Sequence, residues 1–265
     1  MSATDWNPAL YTRFEDERTR PARDLLARCA FAGNETGRGL TIADLGCGPG
    51  NSTELLVQRF PEAEIVGYDL SPAMLETARS RVPGATFEPA DIGNWRPGRA
   101  FDLVYSNAAL QWVRDHERLI PALLERVAPG GLLAAQIPDN LADPSQTSMA
   151  EIAADPLFAP HLSGAGEARE PIAPLATYYD WLAGAGASVD IWLTHYQHPM
   201  ESPQAITDWF RSTGLKPFVD PLPDDLKPAF LERYTAAMEI GYPKRADGGR
   251  LLGFPRLFFV ARKAG

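Results

Sequence analysis

Positive charge is what this chain most lacks. Its 265 residues carry 25 lysines and arginines against 34 acidic groups, a formal net charge of −9. Non-specific nucleic-acid binding rests on a basic surface, so that class is excluded. A local basic pocket for a small anionic metabolite remains compatible with the composition. Cysteine is scarce: Cys29 and Cys47 are too few for a disulfide framework. With only four histidines there is no C-x-x-C or H-E-x-x-H spacing, and no metal is expected. No run approaches the about 18 apolar residues that would cross a bilayer, so no membrane partner is expected. Met1 to Leu10 is polar and lacks the apolar centre of a signal peptide, which predicts a cytoplasmic protein. The apolar share of 45% suits a sizeable core, and the length suits one large α/β domain or a domain with an insertion. Internal repeats and low-complexity tracts are absent as well.

What is present centres on Asp44-Leu45-Gly46-Cys47-Gly48-Pro49-Gly50-Asn51. Ile42 to Leu45 reads as a short buried strand, and three glycines within five residues then make a tight turn. Glycine serves where φ must be positive or where a ligand approaches the backbone closely. Asn51-Ser52 is expected to cap a helix over Thr53 to Phe60. Ile65 to Tyr68 reads as the next strand, with Asp69 at its carboxyl end. In doubly wound folds an acidic residue there, about 20 residues beyond the glycines, accepts hydrogen bonds from a ribose. A nucleoside cofactor lying across two parallel strand tips is therefore predicted. A dinucleotide fingerprint would need its third glycine where Asn51 stands, and Gly50 comes one residue early. The loop also lacks the Lys-Ser/Thr of a phosphate-binding loop.

The rest of the chain keeps the α/β rhythm as far as Pro138. Residues 1–30 read as a helical arm anchored by Leu25-Leu26. Ser71 caps and Pro72 opens a helix through Arg81. Thr86-Phe87 is a third strand, leading to Ala90-Asp91-Ile92, and Phe101 to Tyr105 is a fourth, leading to Ser106-Asn107-Ala108-Ala109-Leu110-Gln111-Trp112. A helix through Leu119 to Val127 precedes a fifth strand at Leu132 to Ile137. This alternation implies right-handed crossovers and a parallel sheet. Asp139 to Glu170 is expected to be loop with short helices, and Pro174 to Leu182 a helix. Val189 to Tyr196 and Leu257 to Ala261 read as the last strands. Between them, Ser202-Pro203 to Gly214 and Asp224-Asp225 to Gly241 mark two helices. Residues 201–247 are thus an expected cap, inserted in a core of 31–200 and 248–265. The cap is expected to face the carboxyl ends of the strands, where ligands bind in open α/β sheets.

Four strand ends converge in this reading: the glycine turn, Asp69, Asp91-Ile92 and Asn107. Each has a plainer role open to it, Asp91 as a helix N-cap and Asn107 as a turn residue. Together, D-x-G-x-G-x-G and this spacing resemble the class I S-adenosylmethionine-dependent methyltransferases. The resemblance implies a Rossmann-like α/β fold, with a mostly parallel seven-stranded sheet, helices on both faces and a helical cap. It implies S-adenosylmethionine as the cofactor, with Asp69 on the ribose hydroxyls and Asp91-Ile92 on the adenine amine and ring face. Gly46, Gly48 and Asn51 would leave room for the methionine part, and Leu70 and Met74 would pack on the adenine. Asp44 and Asn107 complete the cofactor set, with Tyr11 and Arg20 of the arm reaching the methionine end. Trp6-Asn7-Pro8, Arg18-Thr19-Arg20-Pro21, Pro138-Asp139-Asn140, Val189-Asp190-Ile191-Trp192 and Phe254-Pro255-Arg256-Leu257-Phe258 look like the trans-aconitate 2-methyltransferase family, over nearly the whole chain. Methyl-ester formation on a carboxylate of trans-aconitate, or of a close tricarboxylate, is the implied reaction.

A carboxylate with a pKa near ~4 is already ionised at pH 7 and needs no general base. Positioning and exclusion of water can accelerate in-line transfer, with effective molarities of roughly 10⁵ M or more. No catalytic acid, base or triad is therefore expected. The remaining carboxylates of the substrate need cations, and guanidinium groups bind them bidentately. Arg20, Arg23, Arg211 and Arg256 are the candidates. Arg256 leads because it stands between Pro255 and the apolar Leu257-Phe258-Phe259. Trp6, Tyr11, Trp112 and Trp209 are candidates to shield the sulfonium by cation–π contact. The predicted substrate set is Arg256, Trp112, Arg211 and Trp209, in a monomer. Three other readings stand beside this one. A hydroxyl or amine acceptor would want a base such as His195 or His198. A non-catalytic nucleoside-binding module would have no evident need of a cap. A nicotinamide oxidoreductase lacks its third glycine.

Overall fold

The computed structural model of the chain describes residues 15–211 and 213–265. Short apolar runs form five parallel strands: β1 (Thr41–Leu45), β2 (Glu64–Asp69), β3 (Thr86–Pro89), β4 (Phe101–Asn107) and β5 (Val127–Pro138). Two longer strands follow, β6 (Ala187–Met200) and β7 (Arg250–Lys263). The sheet order is β3-β2-β1-β4-β5-β7-β6, with β7 antiparallel to β5. The helices are α1 (Glu15–Leu26), α2 (Asn51–Arg59), α3 (Pro72–Arg81), α4 (His116–Glu125), α5 (Pro144–Ala153), α6 (Leu175–Gly184), α7 (Pro203–Arg211), α8 (Lys216–Val219) and α9 (Lys227–Gly241). Among the described residues no helix is long and apolar enough to cross a membrane.

The strand order reverses beside β1. The chain runs outward through β2 and β3, then returns to β4 on the other side of β1. Loops that leave neighbouring strands in opposite directions open a crevice at their carboxyl ends. The register sets what lines it. Leu45 pairs with Tyr68 and Asp44 with Tyr105, so Gly46 stands level with Asp69 on one side and with Asn107 on the other.

The chain divides into two compact units. One holds Arg18–Pro138, Ile172–Thr194 and Arg256–Gly265. Its core layers Leu45, Val104, Leu133 and Phe259 of the sheet with Leu119 and Leu123 of α4 and Leu182 of α6, all buried. Helix α1 buries Ala22, Leu25 and Leu26, the near-helical spacing that an amphipathic face requires. Tyr105, fully buried in β4, donates its hydroxyl to the carbonyl of Ala22 at 2.8 Å. The His116 ring bridges the Tyr178 hydroxyl and the Leu110 carbonyl, joining α4, α6 and the segment after β4.

The other unit is built mainly from Asp139–Pro171 and His195–Pro255, and so holds α5 and α7 to α9. Tyr234 of α9 donates to the carbonyl of Ser145 at 2.9 Å, and the Ser145 amide donates to the Tyr242 hydroxyl at 3.3 Å. Thr207 of α7 and Thr235 of α9 share a hydroxyl hydrogen bond at 2.8 Å.

Several expected boundaries are corrected. Asn51 and Ser52 do not cap α2; they lie inside it, and Gly50 is the cap, in the left-handed conformation at φ 94°. Asp224-Asp225 does not open α9, which starts at Lys227-Pro228, and Asp224 instead holds the Lys227 ammonium at 2.7 Å. Helix α4 stops at Glu125, and Val127 already belongs to β5. Strands β6 and β7 run well past their expected ends. Pro255 hides that extent in β7, because a proline cannot donate to a ladder. It is tolerated because the ladder with β5 ends one residue earlier in space, at Pro138 opposite Arg256.

The Tyr105–Ala22 contact gives a direct stability test. Tyr105→Phe removes this buried hydrogen bond, and chemical denaturation should show a loss of about 0.5–1.5 kcal/mol. An unchanged midpoint and slope would mean that this bond does not hold α1 to the sheet.

Candidate functional site

The glycine turn is organised by two carboxylates from different strands. Asp44, fully buried in β1, accepts hydroxyl hydrogen bonds from Ser52 at 2.8 Å and Thr53 at 2.7 Å, both in the first turn of α2. Burial pushes its pKa up from the usual 3.8 to about 6, against the pull of those two hydroxyls and with a small push from Asp69. Its second oxygen, Oδ1, has no partner among the described residues. Asp69, at the end of β2, accepts the Gly48 amide at 2.9 Å through one oxygen and the Ser71 amide at 2.9 Å through the other. The amides of Gly46 and Cys47 both donate to the Tyr68 carbonyl, which bends the chain sharply off β1.

Two glycines show why the turn needs this composition. Gly46 has φ 72°, and a Cβ there would lie 2.2 Å from the Cβ of Ala109, with Ile92 Cδ1 at 3.4 Å. Gly48 has φ 55° and nothing within 4 Å of its Cβ position, so the backbone there faces open space. A bare backbone beside a carboxylate suits close approach of a ligand. Cys47 is buried beside Gly67, and burial raises its thiol far above the usual range, so it offers no thiolate.

The other tips fit around this turn. Asp91 caps a short 3₁₀ turn, Ile92–Asn94, accepting from the Gly93 amide at 3.0 Å and the Asn94 side chain at 2.9 Å. The capping role is therefore real, and each oxygen keeps a further lone pair. Asn107 ends β4, with its Oδ1 buried and without a partner among the described residues. The next residue, Ala108, is held at φ 52°. A non-glycine residue there costs about 1–2 kcal/mol. It is held by its amide, which donates to the Gln136 carbonyl at 3.0 Å, and by its carbonyl, which accepts from Gln111 Nε2 at 2.7 Å. Such strain concentrates at functional tips. Leu70 and Trp112 are large apolar side chains left 64% and 45% exposed, and Met74 is half-buried.

The remaining candidates fall into separate places. Arg256, 4% exposed, donates from Nη1 to Gln136 Oε1 at 3.0 Å within the sheet unit. Arg20 and Arg23 lie exposed on α1. Trp209 and Arg211 belong to the other unit; Trp209 is buried with its ring against His198 and Phe254, and Arg211 is exposed at the end of α7. His198, a candidate base for the hydroxyl reading, is buried in that aromatic cluster, while His195 is exposed. Tyr11 and Trp6 lie outside the described residues. Gln136 was not predicted. A single polar residue in the apolar run Leu-Leu-Ala-Ala-Gln-Ile was its signal. Among the described residues no three His, Cys, Asp or Glu gather as a metal site would require.

Comparison with known proteins gives consistent findings. A family model described as a methyltransferase domain matches residues 42–131, the stretch from β1 into β5. A trans-aconitate 2-methyltransferase of Variovorax paradoxus is 55% identical over 260 residues, covering 98% of this chain and 98% of that protein. A protein of the same name from Paracidovorax citrulli is 54% identical over 262 residues, covering 98% and 99%. The solved structure of a putative methyltransferase from Bacillus halodurans matches with a TM-score of 0.58 at 14% identity, covering 93% of this chain and 100% of that one. At that identity the likeness is one of fold, and it bears out the seven-stranded, mostly parallel α/β sheet.

The raised pKa of Asp44 makes stability depend on pH with a defined sign. A carboxyl with a folded pKa above its unfolded value contributes stability that is fully present below about pH 4 and lost as pH rises through about 6. A shift from 3.8 to about 6 corresponds to about 3 kcal/mol. Urea unfolding of wild type and Asp44→Asn across this window should show the wild type losing about that much relative to the variant. A difference that stays flat from pH 4 to 7 would contradict the burial of a charge at Asp44.

Proposed function

The chain belongs to the trans-aconitate 2-methyltransferase family, and from that premise we propose that it methylates a carboxylate of trans-aconitate or of a closely related tricarboxylate. The products are the methyl ester and S-adenosylhomocysteine. The chain is an S-adenosylmethionine-dependent methyltransferase, and what that cofactor supplies is a methyl group on a positively charged sulfur. The observation that carries the reading is the Asp69 carboxylate clamped to the Gly48 amide beside open backbone. Each Asp69 oxygen accepts one amide, so two lone-pair positions remain for the vicinal hydroxyls of a ribose.

The other residues take supporting roles. Leu70 and Met74 offer apolar surface to the adenine, with Ile92 on its face and Asp91 on its amine. Gly46, Gly48 and Asn51 leave space for the methionine part, and Asn107 and Arg20 are the groups near it. Asp44 works one layer back, holding the first turn of α2 under the glycines. The acceptor carboxylate is ionised at neutral pH, so the chain need move no proton. Its work is to align that oxygen with the methyl carbon and to keep water out. Arg256 is the cation proposed for a carboxylate that is not methylated. Against a hydroxyl acceptor stands the buried aromatic packing of His198. Against a nicotinamide cofactor stands Gly50, used as a helix cap with Asn51 behind it. The reading includes a monomeric cytoplasmic enzyme; two buried free cysteines suit a reducing compartment.

Turnover of radiolabelled S-adenosylmethionine with a panel of di- and tricarboxylates tests the reaction, trans-aconitate being the expected best acceptor. In calorimetry, Asp69→Ala should bind S-adenosylhomocysteine at least roughly tenfold more weakly, having lost charge-assisted hydrogen bonds of about 1.5–3 kcal/mol each. Full affinity in that variant would rule out the ribose role. Arg256→Ala should raise the Michaelis constant for trans-aconitate at least roughly tenfold, and leave S-adenosylhomocysteine affinity nearly unchanged. Equal damage to a monocarboxylate acceptor would make Arg256 structural.

A further inference from the structure

Gln136 is fully buried in β5, between apolar neighbours on either side in sequence. Its register partners are Asn107 in β4 and Phe258 in β7, and its carbonyl holds the strained Ala108. Its side-chain oxygen accepts Arg256 Nη1 at 3.0 Å. A guanidinium can only donate, so Arg256 dictates which end of the amide faces it. The opposite end must then be Nε2. That nitrogen is buried and meets no acceptor among the described residues. A buried donor without an acceptor is costly, so its place in an apolar strand calls for a reason. The amide and the guanidinium together carry donors, and the register sets Gln136 opposite Asn107 at the end of β4. Carboxylates carry acceptors alone, which is the complementary chemistry.

We propose that Gln136 and Arg256 act as one carboxylate-recognising pair, in which Gln136 orients the guanidinium and presents its own Nε2 donor to a substrate carboxylate that is not methylated. The inference rests on the tricarboxylate reading above and adds Gln136 to it as a specificity-determining residue.

Two variants of the full chain separate recognition from structure. Gln136→Glu keeps an oxygen for Arg256 but exchanges the donor for an acceptor, and Gln136→Met keeps the length of the side chain with neither. The expected result in each is a Michaelis constant for trans-aconitate raised about tenfold or more, with S-adenosylhomocysteine affinity within about twofold of wild type. An unchanged constant in either variant overturns the pair. So does a parallel loss of S-adenosylhomocysteine affinity, which would assign the donor to the cofactor or to the fold. If the Glu variant fails to fold, the Met variant decides alone. A wild type that methylates no di- or tricarboxylate overturns the functional reading and this pair with it; an active wild type with unaltered variants overturns the pair alone.

Discussion

Where the chain leaves β1, two carboxylates grip the glycine turn from opposite sides. Asp44 holds the first turn of α2 through the hydroxyls of Ser52 and Thr53, and Asp69 reaches across from β2 to the amide of Gly48. The turn can therefore neither slide along α2 nor swing away from β2. The neighbouring strand tips pack against this junction. Ala109 packs in the space that Gly46 leaves, Ile92 packs beside it, and each Asp69 oxygen accepts one backbone amide. A glycine-rich loop without such anchors would sample many conformations, and a ligand would have to bear the entropy of ordering it.

That organisation costs stability in two places. Charging Asp44 inside the sheet costs about 3 kcal/mol at neutral pH, from a pKa raised to about 6. Ala108 in the left-handed region, at φ 52°, adds about 1–2 kcal/mol. Against a total stability of about 5–15 kcal/mol for an ordinary domain, these are large charges on one small region. The core next to them is conventionally apolar, with Leu45, Val104 and Leu133 fully buried. The penalties thus gather at the carboxyl ends of β1 and β4, the strand tips proposed above to hold the cofactor.

An acidic protein that handles a polyanion cannot rely on long-range attraction, since a net charge of −9 repels such a substrate at a distance. Recognition must come from short-range donors out of reach of screening salt. Arg256, 4% exposed and held by Gln136, is the group proposed to meet that requirement. Surface pairs such as Arg38–Glu62 and Arg99–Glu64 lie mostly in solvent and contribute little to either stability or selectivity.

How much of this was legible before folding depends on the range of the interaction. The strand ending at Asp69, the Ser71-Pro72 helix start and the glycine turn are written in consecutive residues, because caps, turns and short buried strands are local. The α/β order followed from alternation, and the family from motif spacing. Misread were the features in which a local signal has two uses. Asn51-Ser52 looks like a cap, yet Ser52 faces Asp44 and Gly50 takes the left-handed cap. Asp224 looks like a cap, yet Lys227 holds it. Pro255 looks like the end of a strand, yet β7 runs through it because its missing donor falls beyond the ladder with β5. The sequence by itself determined the fold class, the strand order along the chain and the family, because these rest on alternation and on motifs of consecutive residues. Only the tertiary structure decided that Arg256 meets Gln136, 120 residues away, and that the amide is left with a buried donor. Strand pairing between β5 and β7 brings them together, and no local pattern encodes a contact that the sheet register creates.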